Sequence, residues 1–335
     1  MKNSRRPTRI NERQNERIWV IKAGSQMVVE GGPLLIRDWM RQVASLQKDG
    51  IRVVWVTSGA IASARERLPQ FSSAQFSSVQ SSTPGDAART SSASPSKTRD
   101  LPTQQALSAL GQIFVIEQYK LALENLGLQA AQVLLTAEDI AHRSRRQNLT
   151  NTLRRLIDWR AIPILNENDA VSTAEIQFGD NDRLSALVAR AIGAERLIIL
   201  TDIDGLYDQD PRQNPNAKLL TDIARVQARH IQSASNAPGS SRGKGGMLSK
   251  LIAAQLAGRD GIPVHLVKGD LAKVLLRIQV SVTEADESHP GTRILNSRPT
   301  TWRRAERKQS TGKRQRGALK SNALRTPLRR RKRTP

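Results

Sequence analysis

Ile18-Trp19-Val20-Ile21-Lys22-Ala23-Gly24-Ser25 is a short apolar run that ends in a lysine and a glycine-containing loop. Consecutive apolar residues followed by turn chemistry read as a buried strand and the loop that leaves it. The same grammar recurs along the chain. Residues 52–56 run into Thr57-Ser58-Gly59-Ala60, Ile162-Pro163-Ile164-Leu165 into Asn166-Glu167-Asn168-Asp169, and residues 196–200 into Thr201-Asp202. Residues 131–135 and 264–267 are further strands. Helical stripes separate them. Leu35, Trp39, Val43 and Leu46 share one face, with Pro33 before it and Gly50 after it at start and stop positions. Leu107, Leu110, Ile113, Tyr119 and Leu123 form a second stripe, Leu149, Leu153, Leu156 and Ile157 a third, and Leu184, Leu187, Val188 and Ile192 a fourth; residues 247–256 are helical too.

Strand and helix in alternation predict a mostly parallel central sheet covered on both faces, a three-layer α/β/α sandwich. Ligands of such sheets sit beyond the carboxyl ends of the strands. The polar clusters at 22–25, 57–60, 166–169 and 201–202 each follow a strand, so they are expected on one rim.

Composition narrows the functional classes. The chain has 335 residues, 53 Lys and Arg against 30 Asp and Glu, a net charge of +23, and no cysteine. Disulfide scaffolds, iron–sulfur clusters and Cys-ligated zinc are excluded. His142, His230, His265 and His289 form no metal-ligand spacing, so no protein-held metal is expected. No apolar run approaches the ~20 residues of a membrane span, and residues 1–17 lack a signal-peptide core; a cytoplasmic protein without membrane contact is expected.

The charge sits mainly at the ends. Residues 296–335 carry a net +14 and residues 1–17 a net +4, which leaves +5 for everything between. The expected organisation is a basic extension over 1–17, one ordered domain over 18–295, and a basic, disordered tail over 296–335. The tail fits a solvated segment, or non-specific contact with nucleic acid through phosphate neutralisation. Within the domain, residues 70–100 hold 13 Ser or Thr and no apolar period, which reads as an inserted loop.

Several clusters carry chemistry. Lys22 beside Gly24 offers a point charge and approachable backbone N–H groups to an anion, although Lys-x-Gly-Ser alone is a weak signal that fits a solvated loop better. The Walker pattern is absent. Ser241-Arg242-Gly243-Lys244-Gly245-Gly246-Met247 opens a helix that carries Lys250, a natural phosphate site at a helix N-terminus. Asn166-Glu167-Asn168-Asp169 and Gly179-Asp180-Asn181-Asp182 add acids and amides that orient an ammonium group, meet Mg²⁺ through water, or cap helices. Two lysines, a Gly-rich helix entry and acids on one rim suggest phosphoryl transfer, where cations and N–H donors meet the charge of the transferring group.

On these residues the sequence resembles the amino acid kinase family, and within it the glutamate-phosphorylating branch. The resemblance covers roughly residues 18–295. It rests on Val56-Thr-Ser-Gly-Ala-Ile-Ala62, Val133-Leu-Leu-Thr136, Pro163-Ile-Leu-Asn-Glu-Asn-Asp-Ala170, Phe178-Gly-Asp-Asn-Asp182, Leu184-Ser-Ala-Leu187, Leu200-Thr-Asp202 with Gly205-Leu-Tyr207, and Gly245-Gly-Met247 with Lys250. It implies the amino acid kinase fold and ATP-dependent phosphorylation of the side-chain carboxylate of L-glutamate, the first step of proline biosynthesis. It also implies Mg²⁺, feedback inhibition by proline and a homo-oligomer.

Carried over by motif, Lys22 and Lys250 stabilise the transferring phosphoryl group. Lys22, Gly24, Ser25, Thr201, Asp202, Lys244, Gly245, Gly246, Met247, Leu248, Ser249 and Lys250 hold ATP. Ser58, Asp169 and Asn181 hold glutamate, Asp169 its ammonium group. The substrate carboxylate is itself the nucleophile, so no enzyme general base is required. The chain departs from the pattern at Lys244, where a threonine is usual, and at Gln104, where a lysine is common. Many relatives carry a carboxyl-terminal PUA barrel; nothing in this chain resembles one, and the basic tail stands in its place. Two other readings stand beside this one: a related kinase with another acceptor, and a degenerate kinase fold whose tail binds nucleic acid.

Overall fold

The computed structural model describes residues 16–71, 101–172, 181–236, 246–283 and 289–296. The basic extension apart from its last two residues, the Ser-rich insertion from Ser72, the motif residues Phe178 to Asp180, the loop residues Lys244 and Gly245, and the tail from Ser297 lie outside them.

Apolar runs become strands and periodic stripes become helices in the expected order. The chain runs β1 (Arg17–Ala23), α1 (Ser25–Lys48), β2 (Ile51–Val56), α2 (Ala60–Arg67), α3 (Leu101–Glu124), β3 (Ala130–Leu135), α4 (Ala137–Ala141), α5 (Arg143–Asp158) and β4 (Ile162–Glu167). It continues with α6 (Asn181–Ile192), β5 (Arg196–Thr201), β6 (Asp222–Ile223), α7 (Ala228–Asn236), α8 (Met247–Gly258), β7 (Val264–Lys268), α9 (Val274–Thr283) and β8 (Thr292–Ile294). Arg17, read as extension from the sequence, is the first residue of β1 and pairs with Ile51. A short 3-10 turn, Pro69–Phe71, follows α2 and takes in the first two residues of the expected insertion.

The strands form one sheet in the order β3-β4-β2-β1-β5-β7-β8-β6, parallel except for the β7–β8 pair. β1 lies between β2 and β5, so the chain winds outward from it in both directions, and such a switch point opens a crevice at the carboxyl ends.

Two apolar clusters show the three layers. Ile18, Val20, Val54, Val56, Leu197 and Ile199 face one side with α5, α6 and α8. Trp19, Ile21, Val53, Trp55, Ile198 and Leu200 face the other with α1, α3 and α9. Side chains alternate along a strand, so a sheet covered twice needs apolar residues at every position, which is why these strands lack a polar alternation.

Two helices differ from the sequence expectation. α1 begins at Ser25, well before Pro33; Gly32 (φ 55°) breaks it, and Pro33 restarts it where its missing N–H costs nothing. In α3 the expected stripe is half right. Leu107, Tyr119 and Leu123 are buried, but Leu110 and Ile113 are exposed, at 37% and 63%. Gly111, Gln112 and Val115 take the inner face instead. The cause is the crossing with α2: a Cβ on Gly111 would lie 1.8 Å from the Ala60 carbonyl oxygen, so only glycine lets the helices meet there. Among the described residues no helix is long and apolar enough to cross a membrane.

Candidate active site

The carboxyl ends of β4, β2, β1 and β5 stand side by side in that order. They deliver Asn166 and Glu167, then Thr57 and Ser58, then Lys22, then Thr201 and Asp202 along one rim. A cavity of about 300 Å³ lies there. It is lined by Lys22, Gly24, Ser25, Ser58, Asp169, Asn181, Thr201, Asp202 and Lys250, nine of the residues singled out from the sequence. Gly246, Met247, Leu248 and Ser249 open α8, with Met247 and Leu248 packed on the core beneath.

Of the helices that begin at this rim, three have glycine at the N-cap: Gly24 before α1, Gly59 before α2 and Gly246 before α8. None of them has a side-chain capping bond. The first N–H groups of a helix have no partner within it. Where a Ser or Asp would normally accept one of them, these termini leave them to an incoming anion, together with the positive end of the helix dipole. Gly59 has φ 94°, a conformation that side chains other than glycine rarely adopt. A Cβ on Gly24 would occupy the space beside Lys22 Nζ, at 3.8 Å.

At the centre two lysines share one carboxylate. Lys22 Nζ lies 2.5 Å from Asp182 Oδ1, and Lys250 Nζ donates to Asp182 Oδ2 at 3.2 Å. Ser249 Oγ donates to the same Oδ2 at 2.7 Å. All three charged groups are buried, Asp182 completely. Burial alone pushes the Asp182 carboxyl up, but the adjacent Lys22 and Lys250 charges outweigh it and hold the pKa at about 2.

Beyond Lys22, toward β2 and β4, an amide network shapes the cavity wall. The two protons of Asn181 Nδ2 are shared among the Thr57 carbonyl, Ser58 Oγ at 3.0 Å and Asn166 Oδ1 at 2.6 Å. Asn181 therefore ties the loop after β2 to the end of β4; it is the first residue of α6 and does not cap it. Asn166 Nδ2 donates to Gln112 Oε1 at 3.0 Å, and Gln112 Nε2 donates to the Glu167 carbonyl at 3.1 Å. Ser108 Oγ donates to Asp169 Oδ2 at 3.2 Å, which fixes that carboxylate from α3. On the other side Thr201 Oγ1 donates to Asp202 Oδ1 at 3.0 Å.

Asp182 and Asn166 belong to the sequence motifs but were not singled out by them. An acid in the first turn of a helix complements its dipole and needs no further reason. Nothing local says that Asp182 meets a lysine on β1. Among the described residues no three His, Asp or Glu side chains form a metal-ligating cluster. The arrangement can bind an anionic group at buried cations and helix N-termini, with an amide- and carboxylate-lined compartment next to it.

Comparison with known proteins agrees with this geometry. Residues 17–268 match the amino acid kinase family. The chain is 40% identical over 263 residues to the glutamate 5-kinase of Acinetobacter baumannii (strain SDF), covering 77% of this chain and 63% of that protein. It is 41% identical over 261 residues to the glutamate 5-kinase of Thermus thermophilus, covering 77% and 63%. It is 36% identical over 275 residues to that of Hydrogenovibrio crunogenus, covering 81% and 66%. The chain thus spans just under two thirds of the length of these relatives. With the sheet order, the glycine-capped rim and the match over most of its length, the chain belongs to the amino acid kinase family.

Proposed function

We propose that the protein transfers the γ-phosphoryl group of ATP to the side-chain carboxylate of L-glutamate, giving L-glutamyl 5-phosphate and ADP, the first step of proline biosynthesis. The observation that carries this reading is the Lys22–Asp182–Lys250 triad, set between glycine-capped helices and the Ser58–Asn181 compartment. A carboxylate oxygen of glutamate forms a bond to the γ-phosphorus while the bond to the β,γ-bridging oxygen breaks, and the bridging electron pair leaves with ADP. Charge spreads over the transferring group as this happens. Lys22 and Lys250, held in place by Asp182, meet that charge, and the N–H groups at the start of α1 and α8 add donors that need no reorganisation. The acceptor is already ionised at neutral pH, so no side chain has to remove a proton.

The order of loops along the rim supports the division of the cavity. Ser58, Asn181 and Asp169 hold glutamate, with Asp169 at its ammonium group. Gly24, Ser25, Thr201, Asp202 and the residues that open α8 hold the nucleotide. Mg²⁺ fits this site as an ion carried by the nucleotide phosphates, because Asp182 is committed to two lysines and no ready cage stands beside it among the described residues. Proline inhibition, a cytoplasmic location and a homo-oligomer belong to the same proposal; the exposed Leu110, Ile113 and Leu121 of α3 support the last.

The test is ADP release by the purified chain with Mg·ATP, with and without L-glutamate, and trapping of the acyl phosphate by hydroxylamine. Glutamate-dependent hydroxamate is expected, with its rate reduced by added proline. Hydroxamate from aspartate or acetylglutamate alone would replace the acceptor, and no hydroxamate from folded, ATP-binding protein would end the kinase reading. The +14 charge of residues 296–335 supports a second, independent activity, contact with nucleic acid. Binding that falls steeply with salt and disappears when those residues are deleted is expected; binding that survives the deletion refutes it.

A further inference from the structure

We propose that the buried stack of Trp39, Trp55 and Tyr119 is a positioning device whose two polar ends each set one half of the active site, Trp39 the nucleotide half and Tyr119 the acceptor half. The inference rests on the kinase reading above.

The chain has only five Trp and two Tyr, and three of these seven share one stack. Trp39 comes from α1, Trp55 from β2 and Tyr119 from α3. Ring centroids are 5.5 Å apart for Trp39 and Trp55, and 5.9 Å for Trp55 and Tyr119. All three side chains are completely buried. Packing alone would be served by rings without polar atoms, since a buried N–H or O–H is costly unless it is bonded. Here the two ends of the stack bond to the loops of the rim.

At one end Trp39 Nε1 donates to the Gly269 carbonyl at 2.8 Å, and Gly269 N donates to the Thr201 carbonyl at 2.9 Å. Gly269 is seated tightly: a Cβ there would come within 3.1 Å of Leu200 Cβ and of Met27 Cε, both cavity residues. Trp39 thus fixes the loop after β7 against the end of β5, where Thr201 and Asp202 stand.

At the other end the hydrogen bonds form a relay. Trp55 Nε1 donates to Tyr119 Oη at 3.0 Å. An indole N–H can only donate, so the Tyr119 proton is left to point at Thr57 Oγ1, also 3.0 Å away. Thr57 Oγ1 in turn donates to the Ser58 carbonyl at 3.3 Å. Burial pushes the Tyr119 hydroxyl up to about 12, so it keeps its proton at any working pH. The relay ends on the peptide between Ser58 and Gly59. The neighbouring Thr57 carbonyl and the Ser58 hydroxyl both accept from Asn181. Tyr119 touches no substrate; it sets the backbone and hydroxyl that do.

The test compares Tyr119→Phe, Thr57→Val and Trp39→Phe with the wild type, with the KM values for glutamate and Mg·ATP measured separately. Tyr119→Phe is expected to raise the glutamate KM about three- to tenfold, the scale of one net hydrogen bond, with the Mg·ATP KM within about twofold. Thr57→Val removes the next link without changing volume and is expected to match it; the double variant adds nothing further, because both cut one relay. Trp39→Phe is expected to raise the Mg·ATP KM and spare the glutamate KM. Equal movement of both constants in each variant, or unmoved constants beside a lowered unfolding midpoint, would mean that the stack only packs the core, and would overturn the proposal. A wild type that phosphorylates a different carboxylate refutes the glutamate reading alone, and the same split is then read on that acceptor. A wild type with no acceptor at all overturns both.

Discussion

Replacing Asp182 by Asn keeps the volume and removes one charge from the centre of the site. In the native protein Asp182 is completely buried and holds Lys22 at 2.5 Å and Lys250 at 3.2 Å. Removing one partner of a buried ion pair costs about 3–5 kcal/mol, because the remaining charge stays desolvated. Two lysines depend on this carboxylate, so Asp182→Asn is expected to lose about 4 kcal/mol of unfolding free energy. The lysines also lose the anchor that aims them, and a fall in kcat of roughly 10²–10³ is expected, the scale of removing one preorganised donor.

Titration supplies an independent measure of the same interaction. The Asp182 pKa is about 2 in the folded protein against 3.8 when unperturbed. The unfolded chain therefore binds the proton more readily, and the group contributes stability that is present above about pH 4 and lost as pH falls toward 2. A depression of that size is worth about 2 kcal/mol. Urea unfolding of wild type and Asp182→Asn between pH 5 and 2 checks it, because other carboxylates cancel in the difference. The stability gap is expected to narrow by about 2 kcal/mol over that range. A gap that stays constant with pH, together with kcat within a factor of about two of wild type, would refute the coupling of Asp182 to the lysines.

Asn181→Ala removes the amide that joins the Thr57 carbonyl, Ser58 and Asn166, and is expected to raise the glutamate KM roughly tenfold or more with little change for Mg·ATP; initial rates at varied glutamate check it. Gly111→Ala forces α2 off α3, since the new Cβ would lie 1.8 Å from the Ala60 carbonyl oxygen; a loss of about 1–3 kcal/mol in urea unfolding is expected. His265 is fully buried, and burial, reinforced by Arg196 beside it, holds its pKa well below the usual value of 6.5. It stays neutral when folded and charges when unfolded, so stability falls as pH drops below 6.5, by up to about 1.4 kcal/mol per unit; His265→Gln is expected to flatten that slope in urea unfolding between pH 6.5 and 5.

The alternation of apolar runs with glycine-containing and acidic loops makes the rim legible in the sequence. A strand buried on both faces must be continuously apolar, so its end shows as the first polar residue, and Lys22, Thr57, Asn166 and Thr201 are such residues. Partnership across the sheet was not legible. Asp182 meets Lys22 only because α6 packs beneath β1, and no local pattern encodes a contact between residues so far apart in the chain. The buried face of α3 was not legible for a related reason. The helix is apolar nearly all round, so periodicity could not choose between the side carrying Leu110 and Ile113 and the side carrying Gly111 and Val115; the close crossing at Ala60 chose. The short β6 and β8 strands lacked a run long enough to read.

The triad is a poor device for stability. Two ammonium groups and a carboxylate taken out of water carry a desolvation cost that their attraction barely offsets, and apolar side chains of the same volume would do as well or better. The glycine N-caps add a little to that cost, since a Ser or Asp in place of Gly24 or Gly246 would stabilise its helix by roughly a few tenths of a kcal/mol. Both features place donors and positive charge at the same end of the sheet, and both are relieved by one event, the arrival of an anion carrying several oxygens. It follows that nucleotide binding should stabilise this protein more than its contact area alone suggests. An unfolding midpoint that rises steeply with Mg·ATP in the wild type, and much less in Lys250→Ala, is the expected signature; an equal rise in both would mean that the cations are structural and that the phosphates bind elsewhere.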